Sequence, residues 1–421
     1  MPRLATSLLR RAYALDAHLP ALLGPCRDLS SAQNELRWLR EHVDSLAKAR
    51  RARGDVVAKR ALLADLVRQR ARGKPLQYIL GSEWFGDVEI RCRKGVLIPR
   101  QDTAASISHL VRFLRGASEL PAELRVLDLC TGTGCIPLLF AHEFCDSSSS
   151  ATELRILGVD VSPDALKLAA HNLKRTRRLA TQKPVEMANI RFLGADILSD
   201  PFADQDYGPP SLKAALNLER APQFWDIVIS NPPYISPREY WKTTTRSVRG
   251  FEPKLALVPP NVAASTDVEQ GDAFYQPLLN VALDVEAKVV LLEIADAEQA
   301  LRVARAAREM NIFDGIEIWR DRPDGEEHLS DDTTTPLEHT EFPVFGQGNA
   351  RTVLCYRGPG TQWLQKTRMV SSPTARPSDP DSAVSTTKEG GRLEPTFHLD
   401  PRVFGEGRPL RELRWKSGTK S

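Results

Sequence analysis

The sequence predicts an α/β protein whose main domain is a largely parallel sheet with helices on both faces. Seven short β-branched or leucine-rich runs follow one another from Arg125 onward: "RVLDL", "LRILGV", "IRFL", "WDIVIS", "KVVLLEI", "IEIW" and "RTVLCY". Helical stretches separate them, and strands that alternate with helices pair in parallel beneath two helical layers. The length, 421 residues with 42% hydrophobic, is enough for more than one buried core.

Composition narrows the function before any motif is considered. Charges nearly cancel, 57 Lys+Arg against 54 Asp+Glu, so there is no overall field of the kind that drives nonspecific nucleic-acid binding. The six cysteines show neither paired CxxC spacing nor the density of a secreted disulfide scaffold, which points to a reducing compartment and away from a structural metal. No apolar run approaches the roughly 20 residues of a membrane-spanning helix, so no membrane association is expected.

Each element then has its own signal. Residues 1–19 open "MPRLATSLLRRAYAL", with Arg3, Arg10 and Arg11 beside Thr6 and Ser7 and no acid before Asp16. That is the composition of a mitochondrial presequence, so the mitochondrial matrix is the expected location; read as the first basic turn of a folded domain, the same stretch leaves the cytoplasm. Residues 20–78 read as a small helical domain, because "NELRWLREHVDSLA" aligns Leu36, Leu39, Val43 and Leu46 on one stripe and "VVAKRALLADLVRQR" repeats the period. Residues 79–100 read as a β-hairpin linker: Val88, Ile90 and Cys92 alternate with charge, Lys94-Gly95 turns, and "VLI" returns.

Residues 101–357 carry the sheet. In them Ser162 and Pro163 are the expected cap and first residue of a helix. Three stretches, 145–153, 200–222 and 322–343, break the pattern and read as surface insertions. The tail, 358–421, is rich in Ser, Thr, Pro, Gly and charge and is expected to be disordered.

"VLDLCTGTGCIPLLFA" is a strand, a tight loop of residues Cys130, Thr131, Gly132, Thr133 and Gly134, and an apolar helix. Its glycines let the backbone turn and approach a ligand, and the helix offers free N–H groups. Asp160 ends the next strand, where sheets of this kind hydrogen-bond ribose hydroxyls. Its interval from Gly134 exceeds the roughly 20 residues expected, and the serine run accounts for the excess. Asp196 and Ile197, after "FLGADIL", suit an adenine amine and an apolar wall, although either acid could simply cap a following helix. The loop lacks GxxxxGK[ST], and Pro137 stands where a dinucleotide fold has its third glycine. An adenosyl ligand without a pyrophosphate fits better, and S-adenosylmethionine (SAM) is the candidate cofactor.

The strand "DIVIS" delivers Asn231 to the carboxyl edge of the sheet, where open α/β folds bind ligands. Pro232 and Pro233 stiffen the turn and leave carbonyls free to accept hydrogen bonds. If Asn231 Oδ1 and the Pro232 carbonyl each take one N–H of a planar NH₂ group, its nitrogen is aimed at the methyl carbon, and Tyr234 can stack on the plane. The residues therefore point to methyl transfer onto a planar amine.

These residues resemble the HemK/PrmC family of SAM-dependent methyltransferases, which modify the glutamine of the GGQ motif in class 1 peptide chain release factors. The likeness runs from about residue 30 to 357. Besides Asn-Pro-Pro-Tyr it rests on "RGKPLQYILGSEWFGDVEI", "VLIPRQDT", "VRGFEPKLAL", "GDAFYQPLL", "LLEIADAEQ" and "ARTVLCYR". The resemblance implies a seven-stranded class I methyltransferase domain of Rossmann-like form. It implies SAM on residues 130 to 134, Asp160 and Asn231, and substrate glutamine held by Asn231 through Tyr234. It also implies that Arg100 and Thr103 help to close the pocket and that the helical domain grips the release factor.

Two departures from the family pattern stand out, Cys130 in place of glycine and Ala104 in place of glutamate. Altered cofactor affinity is the expected result, and Cys130 reads as a small buried thiol. Glu252 of "FEP" reads either as a residue that orients the catalytic loop or as a turn cap. The alternative substrate is an exocyclic amine of adenine or guanine in DNA or RNA, flipped onto Tyr234. That reading expects a basic, aromatic-lined surface, whereas "RARGDVVAKR" and "HNLKRTRRLA" read as solvated helix faces. A noncatalytic binding module would have lost the loop or the turn, and both are intact.

Overall fold

The computed structural model describes residues 4–145, 152–179, 189–199, 208–261, 266–325 and 340–366. Five helices open the chain: α1 (Thr6–Leu15), α2 (Leu19–Cys26), α3 (Leu29–Arg51), α4 (Lys59–Ala71) and α5 (Leu76–Leu80). They close around Leu19, Leu22, Leu23, Leu36, Leu39 and Val43; of the stripe expected on α3, Leu36, Leu39 and Val43 enter this core, while Leu46 is only partly buried. Asp28 caps α3 by accepting from Ser31 N–H. Arg70 crosses to Glu35 at 2.7 Å. The stretch with presequence composition contributes α1, whose Ala12 is fully buried against this cluster.

β1 (Ser82–Phe85) and β2 (Val88–Arg91) form an antiparallel hairpin. Its tight turn falls at Gly86-Asp87, where Gly86 supplies the left-handed residue at φ 53°. The expected turn at Lys94-Gly95 also forms, with Gly95 at φ 96° and Val96 N–H bonding the Arg93 carbonyl at 3.3 Å, but the expected return strand "VLI" is corrected: Val96 and Ile98 are buried outside any strand.

The sheet domain then runs α6 (Gln101–Arg115), β3 (Glu123–Leu129), α7 (Cys135–Cys145), β4 (Glu153–Asp160), α8 (Pro163–Leu179), β5 (Ile190–Gly194), α9 (Leu212–Leu218) and β6 (Ile227–Ser230). Short helices α10 (Pro237–Thr243), α11 (Arg246–Phe251) and α12 (Asp267–Gly271) lead to α13 (Tyr275–Asp284), β7 (Val289–Glu293) and α14 (Ala297–Glu309). The chain closes with β8 (Gly315–Arg322), β9 (Val344–Phe345), β10 (Gln347–Tyr356) and α15 (Pro359–Trp363).

The strand order is β5-β4-β3-β6-β7-β10-β8-β9. β5 through β7 are parallel, and β10 inserts antiparallel between β7 and β8. All seven expected strands form, and the two-residue β9 makes eight. Both faces are covered. One core packs Leu127, Leu129, Val290 and Leu292 with α9, α13 and α14; the other packs Val126, Ile227, Ile229, Val289 and Leu291 with α6 and α7. This two-sided burial is why the strands read as continuous apolar runs and not as alternating ones.

Ser162 does cap α8, accepting from Ala165 N–H at 3.3 Å. Two other expectations are corrected. The stretch 200–222 is not wholly a surface insertion, since α9 buries Leu212, Ala215 and Leu216 in the core. The tail does not become loose at 358, since α15 buries Trp363 and Leu364 in the opposite core. Both carry apolar side chains at helical spacing inside otherwise polar stretches. Most of the insertions at 145–153 and 322–343, and the tail beyond 366, lie outside the described residues.

Candidate active site

The strand order brings the carboxyl ends of β5, β4, β3 and β6 side by side, and with them Asp196 and Ile197, Asp160, Cys130 through Gly134, and Asn231. Gly132 and Gly134 take φ of 56° and 76°. A Cβ on Gly134 would stand 2.9 Å from Phe192 Cζ, so only glycine fits between the loop and β5. Cys130 is left-handed too, φ 64°, a conformation in which a residue with a Cβ is strained by about 1 kcal/mol.

Asp160 holds the loop. Its Oδ2 accepts from Gly132 N–H and its Oδ1 from Ser162 N–H, both at 2.8 Å, and each oxygen keeps a lone pair for a further donor. Burial pushes its pKa up against those two N–H groups. Asp196 accepts from Leu198 N–H at 2.9 Å and the Ser199 hydroxyl at 2.8 Å, so it organises its own turn; no helix starts there to be capped.

Asp128, inside β3, was not foreseen. It is fully buried, and neither oxygen meets a hydrogen-bond partner. Burial pushes it up to about 8, the nearby Thr131 hydroxyl opposes the rise, and Asp160 adds to it. The only signal in the sequence was an acid in an otherwise apolar strand, the residue type least expected there without a partner. Cys130 is surrounded by these acids: burial, then Asp160, Asp128 and Asp196, hold its thiol well above the usual range. It is therefore a protonated thiol and no nucleophile.

Asp160 and Asp196 make the rim of this loop electronegative, while the buried Asp128 keeps its proton up to about pH 8. A pyrophosphate would be repelled there, whereas a sulfonium bearing an α-ammonium group is attracted. The residues fit SAM.

The acceptor side is built differently. Asn231 and Tyr234 are partly buried and the two prolines between them buried. Asn231 Nδ2 donates to Thr103 Oγ1 at 3.2 Å. The Thr103 hydroxyl itself donates to Glu293, and Tyr234 Oη donates to the other Glu293 oxygen at 3.1 Å. Gln299 Nε2 donates to the Tyr234 carbonyl at 3.2 Å. The Ser230 hydroxyl ties β6 to Leu129, and Ile235 N–H bonds the Leu257 carbonyl. Among the described residues, Asn231 Oδ1 and the Pro232 carbonyl take part in no hydrogen bond.

Arg100 meets Glu252 instead of the loop: one guanidinium nitrogen lies 2.9 and 3.0 Å from its two carboxylate oxygens, and Ile98 N–H donates to Glu252 at 3.1 Å. Glu252 thus bonds a backbone N–H, as its capping reading expects, and through Arg100 ties "IPRQDT" to "FEPKLAL". Ala104 is buried against the α6 face of the core, a place where a glutamate would need a partner.

No protein-family model matches the chain. Curated relatives do. The mitochondrial MRF1 N(5)-glutamine methyltransferase MTQ1 of Saccharomyces cerevisiae is 33% identical over 260 residues, 61% of this chain and 68% of the relative. The probable MRF1 mitochondrial N(5)-glutamine methyltransferase mtq1 of Schizosaccharomyces pombe is 32% identical over 296 residues, covering 68% and 85%. A release factor glutamine methyltransferase of Chlorobaculum tepidum is 36% identical over 194 residues, covering 46% and 55%. Among solved structures, the N-terminal domain of human METTL16 superposes with a TM-score of 0.38 at 17% identity, over 70% of this chain and 82% of that one, too loosely to support an argument.

Proposed function

The chain belongs to the family of release factor glutamine N5-methyltransferases, and from that premise we propose how its residues serve the reaction. It is a SAM-dependent enzyme that methylates the side-chain amide nitrogen of a release-factor glutamine, and it works in mitochondria. Within that activity we assign the acceptor to the GGQ glutamine of a class 1 factor.

The observation that supports this assignment of roles is the orientation of Asn231. Thr103 gives its single hydrogen to Glu293, so it can only accept from Asn231, which turns the Asn231 oxygen towards the site. An amide nitrogen is a poor nucleophile because its lone pair is delocalised. With Asn231 Oδ1 and the Pro232 carbonyl each accepting one N–H, the nitrogen is fixed in direction, and orientation of this kind supplies several kcal/mol of the barrier reduction. Tyr234 covers the amide plane and excludes water. Bound SAM supplies the methyl group on an electrophilic sulfonium. The Gly132 amide, Asp160, and the Asp196-Ile197 corner would hold it, with Thr103 closing the entrance from α6. The methylated nitrogen is acidic and gives up its proton without a strong base, which agrees with the lack of histidine beside residues 231–234 in the sequence.

The test is incubation with labelled SAM, a mitochondrial release factor and its GGQ-to-GGA variant, with RNA and DNA competing. Label on the factor that vanishes in the variant is expected. Label on nucleic acid, or undiminished label on the variant, overturns the assignment.

A further inference from the structure

We propose that Glu293 is a positioning residue for the methyl transfer: one buried carboxylate orients both ends of the Asn-Pro-Pro-Tyr turn, Asn231 through Thr103 and Tyr234 directly. The proposal rests on the acceptor role given above to that turn.

The geometry follows from strand parity and register. Odd-numbered residues of β6 and β7 (Ile227, Ile229, Val289, Leu291) point into the core that packs on α6. β6 and β7 run parallel with Ile229 opposite Leu291. Two residues further along β7, Glu293 continues this face, Asn231 follows the end of β6, and Thr103 near the start of α6 bonds both. Glu293 is 2% exposed and Thr103 4%. One carboxylate oxygen takes the Thr103 hydroxyl, the other takes Tyr234 Oη at 3.1 Å.

Burying a carboxylate costs several kcal/mol, and an apolar residue of similar size is usually at least as stable. Glu293 spends both oxygens on hydroxyl groups that belong to the turn or touch it. No cation bonds it directly; the Arg351 guanidinium acts from a distance while it bonds Asp321 at 2.8 Å. Glu317, buried to the same 2%, provides the contrast within this protein. Its oxygens bond Lys366 at 2.9 Å, Trp319 and Tyr356, which is the environment of a carboxylate that holds structure together. Glu293 instead fixes which way two hydroxyl hydrogens point, and through them which face Asn231 turns to the substrate.

Glu293→Gln keeps the shape but presents an NH₂ to one of the two hydroxyls, which must then reverse. The expected result is a fall in kcat of roughly tenfold or more with the SAM dissociation constant, by calorimetry, within about twofold. Thr103→Val should lower kcat likewise, Thr103→Ser should restore turnover, and in kcat the double variant should be no worse than either single one. Glu317→Gln should lower the melting temperature and leave kcat unchanged. Turnover of Glu293→Gln within about twofold of wild type, or additive losses in the double variant, overturns the proposal. A second readout is independent of substrate: with asparagine-selective ¹⁵N labelling, the Asn231 side-chain amide resonance, assigned by its loss in Asn231→Asp, should move in both Glu293→Gln and Thr103→Val. Unmoved resonances sink the positioning role, whereas a wild-type enzyme that labels no release factor sinks only the substrate assignment.

Discussion

The two halves of the site are prepared in opposite ways. On the cofactor side, Cys130 is held at a strained φ, and Asp128, Thr131 and Thr133 keep buried oxygens without partners. On the acceptor side, Thr103, Glu293 and Gln299 keep the Asn231 Nδ2 and the Tyr234 hydroxyl and carbonyl in hydrogen bonds, and among the described residues Asn231 Oδ1 and the Pro232 carbonyl take part in none. One half stores unsatisfied polarity that a cationic ligand can relieve; the other is rigid before anything binds. The difference follows from the chemistry: a charged cofactor brings its own attraction, while a neutral amide must be aimed.

The strongest way to break the comparison is on the rigid side. Asn231→Ala removes acceptance from the transition state and should slow single-turnover methylation of the release factor on the order of a hundredfold, roughly 3 kcal/mol. Wild-type rates in this variant would remove Asn231 from its role.

Next comes the ion pair between Arg100 and Glu252. Arg100→Met leaves the buried Glu252 carboxylate without its cation, and with Arg100 about a third exposed the loss should be about 2 kcal/mol in urea unfolding. Adding Glu252→Gln should recover part of it; no recovery would mean that the pair is not the cause.

The cofactor side is sharpened by pH. Asp128 holds its proton to about pH 8 in the folded protein, whereas the unfolded chain ionises near its ordinary value of 3.8. Between those values the native state binds more protons than the unfolded one, so this residue's contribution is intact below pH 4 and is lost as pH rises towards 8. Asp128→Asn should therefore stabilise the ligand-free protein by several kcal/mol at pH 8 and hardly at all at pH 4, measured by thermal unfolding. Equal effects at both pH values would show that Asp128 is solvated.

The smallest effect concerns Cys130. Cys130→Gly should exceed Cys130→Ala in stability by about 1 kcal/mol, because both lose the thiol but only glycine accepts φ 64° freely. The reverse order in chemical denaturation would show that the loop relaxes.

Much of this was legible from local chemistry. β-branched runs become strands because both faces are buried. Gly132, Gly134 and the prolines at 232 and 233 have backbones that admit few conformations, so the loop and the turn could be read from residue type. Ser162-Pro163 fixed a helix start in the same way. Where local signals competed, reading failed: Gly86 and Gly95 both make turns but only the first joins two paired strands, and α9 and α15 hid a few apolar residues inside polar stretches.

What the sequence determined by itself was a parallel α/β sheet, a glycine loop after its first strand, and an asparagine followed by a stiff diproline turn. The tertiary structure alone decided what aims that amide. Thr103 and Glu293 are 190 residues apart in the chain, and Asn231 and Thr103 are 128 apart. Their meeting depends on strand order, register and the parity of side chains on a sheet, none of which a local pattern encodes, because each is settled by how the whole core packs.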